Sequence, residues 1–355
     1  MGTSFPKTNR RHVLFYLLPP LLAALFALTL STLAGSVRIP LRDIVSILRN
    51  AWFDAPLPAH IDANMASVLV RIRLPRAFAS FLAGGMLSVC GAVMQAVLQN
   101  PLASSYTLGV SSGASLGAAL VVVSEISIPV IGAFLLPFTG FAFGLATVFF
   151  VLAFSARLDR DVSSHTIILL GMVISLFMNA MLTLVNSLNT EHLNRIMMWQ
   201  MGSFSGRRWY HVAVLFVCAL VCTLLLLRFS SELDILSFGD EQALAIGVSS
   251  ARVKKTVLAL SSLLTGTAVC FTGTIGFVDL IIPHIVRRLY GPAHKKVLPL
   301  SFFFGGSFLA LSDTIARTIL APREIPVGAV TALFGTPFFI YLYFIGYKKR
   351  MTGVG

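Results

Sequence analysis

Charged residues are scarce in this chain, so those that stand in or beside long apolar runs draw attention first. Asp279, His284 and Asp313 do so, and ionisable groups inside a membrane are costly enough to count as functional by default. As a set they would suit proton relay. Each also has a quieter reading. Asp313 and Arg317 are four apart on one helical face, the spacing of an internal ion pair. Asp279 falls in the first turn of its predicted helix, where the helix dipole favours an anion. A second group is cationic: Arg71, Arg73 and Arg76 cluster at the end of one hydrophilic segment. Catalytic signatures do not occur. No Gly-Lys dipeptide is present, so there is no phosphate loop, and no HExxH or Cys/His cluster provides for a metal. The run Gly202-Ser203-Phe204-Ser205-Gly206 has glycine-flanked serines but no strand–turn–helix setting with partner His and Asp. These residues predict no enzyme, no resident cofactor and no metal. If ATP drives any work here, a separate subunit must hydrolyse it.

The elements that position these residues follow from composition. Of 355 residues, 56% are hydrophobic and 12% charged, about half the charged share of a soluble domain. So little charge cannot cover a water-facing surface. A spanning helix needs about 20 apolar residues, and the long apolar runs favour helices over barrel strands. We expect an all-α integral membrane protein with about ten transmembrane helices in one bundle. The runs lie near 13–33, 77–98, 108–124, 130–154, 166–187, 210–228, 256–273, 277–290, 299–320 and 326–347. The whole chain, 1–355, reads as one domain, with short tails at 1–12 and 348–355 and an outer loop at 34–66. The first run is longer than a signal-peptide core, which favours a retained helix. With both termini cytoplasmic, that side collects 16 Lys and Arg against 11 outside, the expected bias. Six of the outer 11 fall within residues 34–76, a cluster that runs against the rule. The net charge of +13 is spread over loops flanking the apolar runs, so nucleic acid is not an expected partner. Cys90, Cys218, Cys222 and Cys270 all lie in apolar runs and read as small buried hydrophobes.

Two further patterns concern contacts. Gly109, Gly113 and Gly117 form a tandem GxxxG run, which lets helix backbones approach closely. The stretch 239–248 begins with Gly239-Asp240-Glu241 and closes at Gly247, a helix start and stop. Its small apolar residues Ala243, Leu244 and Ile246 suit a groove on another protein.

The ordered motifs are more specific. Arg73-Leu-Pro-Arg76, Gly91-Ala-Val-Met-Gln95, Asn100-Pro-Leu-Ala103 and Leu108-Gly-Val-Ser-Ser-Gly-Ala114 come first. Met198-Trp199-Gln-Met-Gly-Ser203, Ala245-Ile-Gly-Val248 and Gly273-Thr-Ile-Gly-Phe277 follow. Pro283-His284, Asp313-Thr-Ile-Ala-Arg317 and Glu324-Ile-Pro-Val-Gly-Ala-Val-Thr331 complete the set. Over residues 65–345 this order resembles the FecCD/BtuC-type permease subunits of ABC importers for iron–siderophore complexes, haem and cobalamin. The resemblance implies the type II importer architecture in the cell membrane, with a second permease copy, identical or different. It also implies two ATPase subunits and an extracytoplasmic substrate-binding protein, with an iron–siderophore as first expected cargo and haem or cobalamin still open. It assigns Arg73, Arg76 and Arg317 to docking of the binding protein, against the alternative of arginines snorkelling to lipid phosphates. Residues 239–250 match the coupling helix, with Asp240, Glu241, Ala243, Leu244, Ile246 and Gly247 facing the ATPase. Asn100, Leu102, Ser163 and Ser164 fall on the cytoplasmic gate. Met172, Met178, Asn179 and Met181 fall on the pathway helix, where plain core packing fits equally well. The chain departs from the family pattern in two places. Ser104-Ser105 stands where many members have Asp-Pro, and Asp279 where many have a small residue.

Overall fold

The computed structural model describes residues 10–35, 39–126, 132–159 and 163–351. The predicted terminal tails therefore lie partly outside the described residues, as does Arg160 of the charge count. Among the described residues there are helices and no strand. In chain order the helices are α1 (Arg10–Leu33), α2 (Leu41–Phe53), α3 (Ala63–Val68), α4 (Leu74–Val97), α5 (Val110–Ser124) and α6 (Gly132–Leu158). Next come α7 (Ser164–Leu188), α8 (Leu193–Gln200), α9 (Trp209–Arg228), α10 (Ser230–Leu236) and α11 (Asp240–Ala245). The last four are α12 (Ser250–Thr272), α13 (Val278–Tyr290), α14 (His294–Thr318) and α15 (Val327–Met351). Each of the ten apolar runs is helical. Among the described residues six helices are long and apolar enough to cross a membrane, and shorter apolar helices occupy Leu18–Leu33, Val110–Ser124 and Val327–Phe338.

The helix carrying the arginine cluster starts earlier than its apolar run. Asp62 caps it by accepting from the Asn64 N–H at 3.0 Å, and helix continues from Ala63 to Val97. Pro75 lies inside that length, where it would normally collide with the preceding turn. A π turn at Leu69–Arg73 relieves this, with Leu74 N–H donating to Leu69 O. In that register Pro75 leaves Val70 O without its helical donor, and Trp209 Nε1–H supplies one at 2.9 Å. A proline and a remote tryptophan together shape the end of the helix that holds Arg73 and Arg76.

At the centre α4 packs on α14 almost backbone to backbone. A Cβ on Gly84 would meet Gly305 O, and one on Gly306 would meet Phe81 O. Lipid tails do not drive helices together, so close van der Waals approach through small residues must do so. Gly305→Leu is expected to cost about 3 kcal/mol through overpacking, seen as a lowered melting temperature of detergent-solubilised protein. An unchanged melting temperature would show the crossing to be loose. On α5, Gly113 abuts Phe143 and Thr147 of α6, Gly117 abuts Thr139 and Phe143, and Gly109 sits before the helix at φ +78°.

Candidate functional site: two ends of one bundle and the seam between them

At one end of the bundle Arg76 is clamped between two carboxylates. Its Nε reaches Asp313 Oδ2 at 3.0 Å and its Nη2 reaches Asp313 Oδ1 at 2.8 Å. Its Nη1 and Nη2 also meet Glu324 Oε1 and Oε2 at 2.7 and 3.0 Å. Two bidentate contacts use the guanidinium fork fully. Asp313 is wholly buried, whereas the Glu324 side chain is 41% exposed. The Arg76 guanidinium holds the Glu324 carboxyl below its usual range. This contact is therefore complete at neutral pH and is lost as pH falls through that lowered value. The helical-face pair of Asp313 with Arg317 is present at 3.8 Å, but Arg76 is the closer partner.

Arg73 and Arg317 have a different task. Arg73 Nη1 donates to Leu33 O at 3.1 Å and to Thr32 O at 3.3 Å, while Arg317 Nη2 donates to the carbonyl and hydroxyl of Ser31. Both cations thus sit on the last carbonyls of α1, the negative end of its dipole. The three arginines that the motif match assigns to docking are brought together, yet their hydrogen bonds are made within the chain. Arg73 and Arg76 are buried, whereas Arg71 and Arg323 nearby are exposed.

Between the ends runs a seam of irregular backbone. Helix α13 has 13 residues, about 20 Å at 1.5 Å per residue, which is too short to cross alone. The break at 273–277 therefore lies inside the bundle. Gly273 makes the turn at φ +73°, with its Cα face against Trp199 O. The loop after α4 meets this break: Tyr106 Oη donates to Ile275 O at 2.9 Å and accepts from Ile275 N–H at 3.1 Å. Irregular backbone at membrane depth persists only where protein satisfies it. Next to it lies Asp279, 1% exposed. Its Oδ2 accepts from Ser104 Oγ at 2.5 Å, Ser105 N–H at 2.9 Å and Ser105 Oγ at 2.8 Å, while Oδ1 has no partner among the described residues. The two departures from the family pattern are thus one contact. His284 stands five residues further along α13 and is only half-buried.

At the opposite end, α11 carries the residues matched to coupling. Ala243 is buried, Leu244 and Ile246 are exposed, and Gly247 turns at φ +85°. Asp240 pairs with Lys254 Nζ at 2.6 Å. Asn100 Oδ1 accepts from Leu102 N–H at 2.9 Å, and Leu102 is 63% exposed. Ser163 caps α7, and Ser164 Oγ donates to Val97 O at 2.9 Å, so the gate-matched start of α7 touches the end of α4 just before Asn100. A cavity of about 520 Å³ lies beside Asn100, lined also by Gln95, Asp234, Arg287 and His294. Helix α7 buries few residues. Met172 and Asn179 face outward, while Met178 and Met181 pack toward Leu116, Val122 and Leu182. Among the described residues, no group of three metal-ligating side chains converges.

The chain matches the FecCD transport family over residues 21–344. It belongs to that family. Among its FecCD relatives, the uncharacterized ABC transporter permease protein YvrB of Bacillus subtilis is 41% identical over 86% of this chain and 86% of its own length. The cobalamin import system permease protein BtuC of Halobacterium salinarum is 36% identical over 82% of this chain and 77% of its own. A solved inward-facing metal-chelate type ABC transporter superposes with a TM-score of 0.80 at 30% identity, covering 94% of this chain and 99% of that one. As a FecCD permease the chain is a multi-pass protein of the cell membrane and a transport component.

Sequence reasoning about this FecCD chain missed Glu324 as a partner of Arg76, Ser104 and Ser105 as partners of Asp279, and Lys254 altogether. Asp313 and Glu324 lie 237 and 248 residues from Arg76, beyond any local pattern. Lys254 carried only a faint signal: Ala251, Val257 and Leu258 on its helical face are apolar, but Arg252, Lys255 and Thr256 flank it in sequence.

Proposed function

We propose that this chain is the transmembrane permease of a binding-protein-dependent ABC importer that carries an iron chelate, first an iron–siderophore complex, into the cell by alternating access. The observation that carries this reading is the pairing of its two ends. An arginine–carboxylate cluster closes one end, and a short helix with exposed apolar side chains lies at the other, joined through Lys254 to the gate-matched Ser164. Two ATPase subunits would seat on α11, a second permease copy would complete the pathway along the outward face of α7, and both termini would be cytoplasmic. ATP would act through its different affinity for two states, so the permease needs no nucleotide contact. The metal-chelate neighbour supports an iron chelate, and the cobalamin relative keeps cobalamin or haem as the second reading. Proton coupling is less well supported, because Asp279 and Asp313 are both committed to internal donors.

Reconstitution with ATPase and binding protein tests this. Uptake of a ferric siderophore, ferric citrate, hemin or cobalamin should require ATP and survive collapse of the proton gradient. Uptake that fails with the gradient would overturn the reading, and the accepted compound names the cargo.

For docking, we propose that carboxylates of the binding protein approach the cluster of Arg73, Arg76 and Arg317 where Glu324 now shields it. Arg73→Gln spares the Arg76–Asp313 contact. It is expected to lower binding-protein stimulation of ATP hydrolysis by about tenfold, as loss of a charged interfacial group does. Full stimulation would remove Arg73 from the dock.

A further inference from the structure

Lys254 is an unusual residue for its place. It lies on α12, its side chain is 0% exposed, and it is a cation inside an apolar helix bundle. A buried ammonium is tolerated only when paired and hydrogen-bonded. Its Nζ meets Asp240 Oδ2 at 2.6 Å and Ser164 Oγ at 3.2 Å. The Ser164 hydroxyl, accepting from Lys254, donates its own hydrogen bond to Val97 O at 2.9 Å. The line is therefore continuous: first residue of α11, α12, first residue of α7, last residue of α4. Two residues beyond Val97 the helix gives way to the loop of Asn100 and Leu102.

From this geometry we infer that Lys254 is a positioning residue that transmits displacement of α11 to both gate segments. The inference rests on the importer reading above and deepens it. Asp240 belongs to the surface offered to the ATPase, and α11 is a six-residue helix held between Gly239 and Gly247, both at positive φ. Such an element can tilt without unfolding its neighbours. If it moves, the 2.6 Å contact with Asp240 draws the Lys254 ammonium along with it. Following Asp240 takes the ammonium from Ser164, and the Ser164 hydroxyl then loses the partner that orients it toward Val97. The contact between α7 and α4 loosens where the gate-matched residues stand. Coupling of this kind needs a continuous physical network with two arrangements, and the hydrogen bonds supply the first arrangement.

The test uses the full permease assembled with its ATPase in nanodiscs. Leu102→Cys is labelled with a maleimide in the absence and presence of ATP, and the parent chain reports any background from the four native cysteines. ATP should change the labelling rate, and Lys254→Met should reduce that change by about tenfold, the scale of a coupling free energy. Ser164→Ala removes only a hydroxyl and should reduce it in the same direction, with the double variant no worse than Lys254→Met alone. Lys255→Met, at an exposed neighbouring position, should leave the ATP response intact. An undiminished response in Lys254→Met or in Ser164→Ala overturns the relay while the importer reading stands. Loss of ATPase binding by Lys254→Met also overturns it, since the lysine would then serve only to seat α11. No ATP response in the Leu102→Cys chain would overturn both.

Discussion

Asp313→Asn is expected to prevent accumulation of folded protein. The substitution keeps the shape of the side chain and removes the charge that Arg76 meets through two hydrogen bonds and Arg317 faces at 3.8 Å. Side-chain exposures of 8% and 0% leave Arg76 and Asp313 no water to turn to. Removing one partner of a buried pair costs about 3–5 kcal/mol, a large part of the roughly 5–15 kcal/mol that holds a typical domain. Membrane yield and the melting temperature in detergent measure this directly. Glu324→Gln provides the scale, because its carboxylate is partly in water and its loss should lower the melting temperature much less. Asp313→Asn combined with Arg76→Gln should recover part of the loss, since the buried guanidinium is then removed together with its buried counter-charge. Equal melting temperatures for Asp313→Asn and the unsubstituted chain would mean that the pair does not hold α4 to α14.

Asp279 gives the second large effect. Asp279→Val is expected to abolish uptake, because Ser104 Oγ, Ser105 N–H and Ser105 Oγ all lose their acceptor. Each buried donor left unmet costs about 1–3 kcal/mol. The contact also holds the loop of Asn100 and Leu102 against the break before α13, so its loss acts on the gate segment as well as on stability. Asp279→Asn should be mild. Its amide oxygen can take the place of Oδ2, and its NH2 would fall at Oδ1, which accepts no bond among the described residues. Comparison of the two variants also separates transport classes. An asparagine cannot carry a proton, so uptake that survives Asp279→Asn rules out a proton relay through this residue. Folded Asp279→Asn protein without uptake would restore the proton-coupled reading.

Much of the fold was legible because hydrophobic length is a local property. Ten apolar runs became ten helices, since a backbone in lipid has to satisfy its own hydrogen bonds within each run. The ordered motifs, from Arg73 to Thr331, were enough to indicate the family. Even the eighth run, short and ending in Arg287-Arg288, foreshadowed the interrupted passage at α13. The start of α4 was not legible, because the π turn depends on a tryptophan from α9 that caps a carbonyl freed by Pro75. Nor did local spacing reveal the true partner of Asp313. The i,i+4 rule pointed to Arg317, but a helix face cannot show what the neighbouring helix presents.

The arginine cluster marks the division between what the sequence alone determined and what tertiary structure decided. Residue types and motif order singled out the cations Arg73, Arg76 and Arg317. Only the packed bundle decided that Arg76 is clamped by Asp313 and Glu324, that Arg73 and Arg317 close the end of α1, and that Lys254 joins α11 to α7. The physical reason is the same in each case. A charge in an apolar interior must find its counter-charge or carbonyl across a helix–helix contact, and such contacts are set by the close approach of α4 and α14 at Gly84 and Gly305 and by chain breaks such as Gly273. Neither has a signature in the spacing of the charged residues themselves.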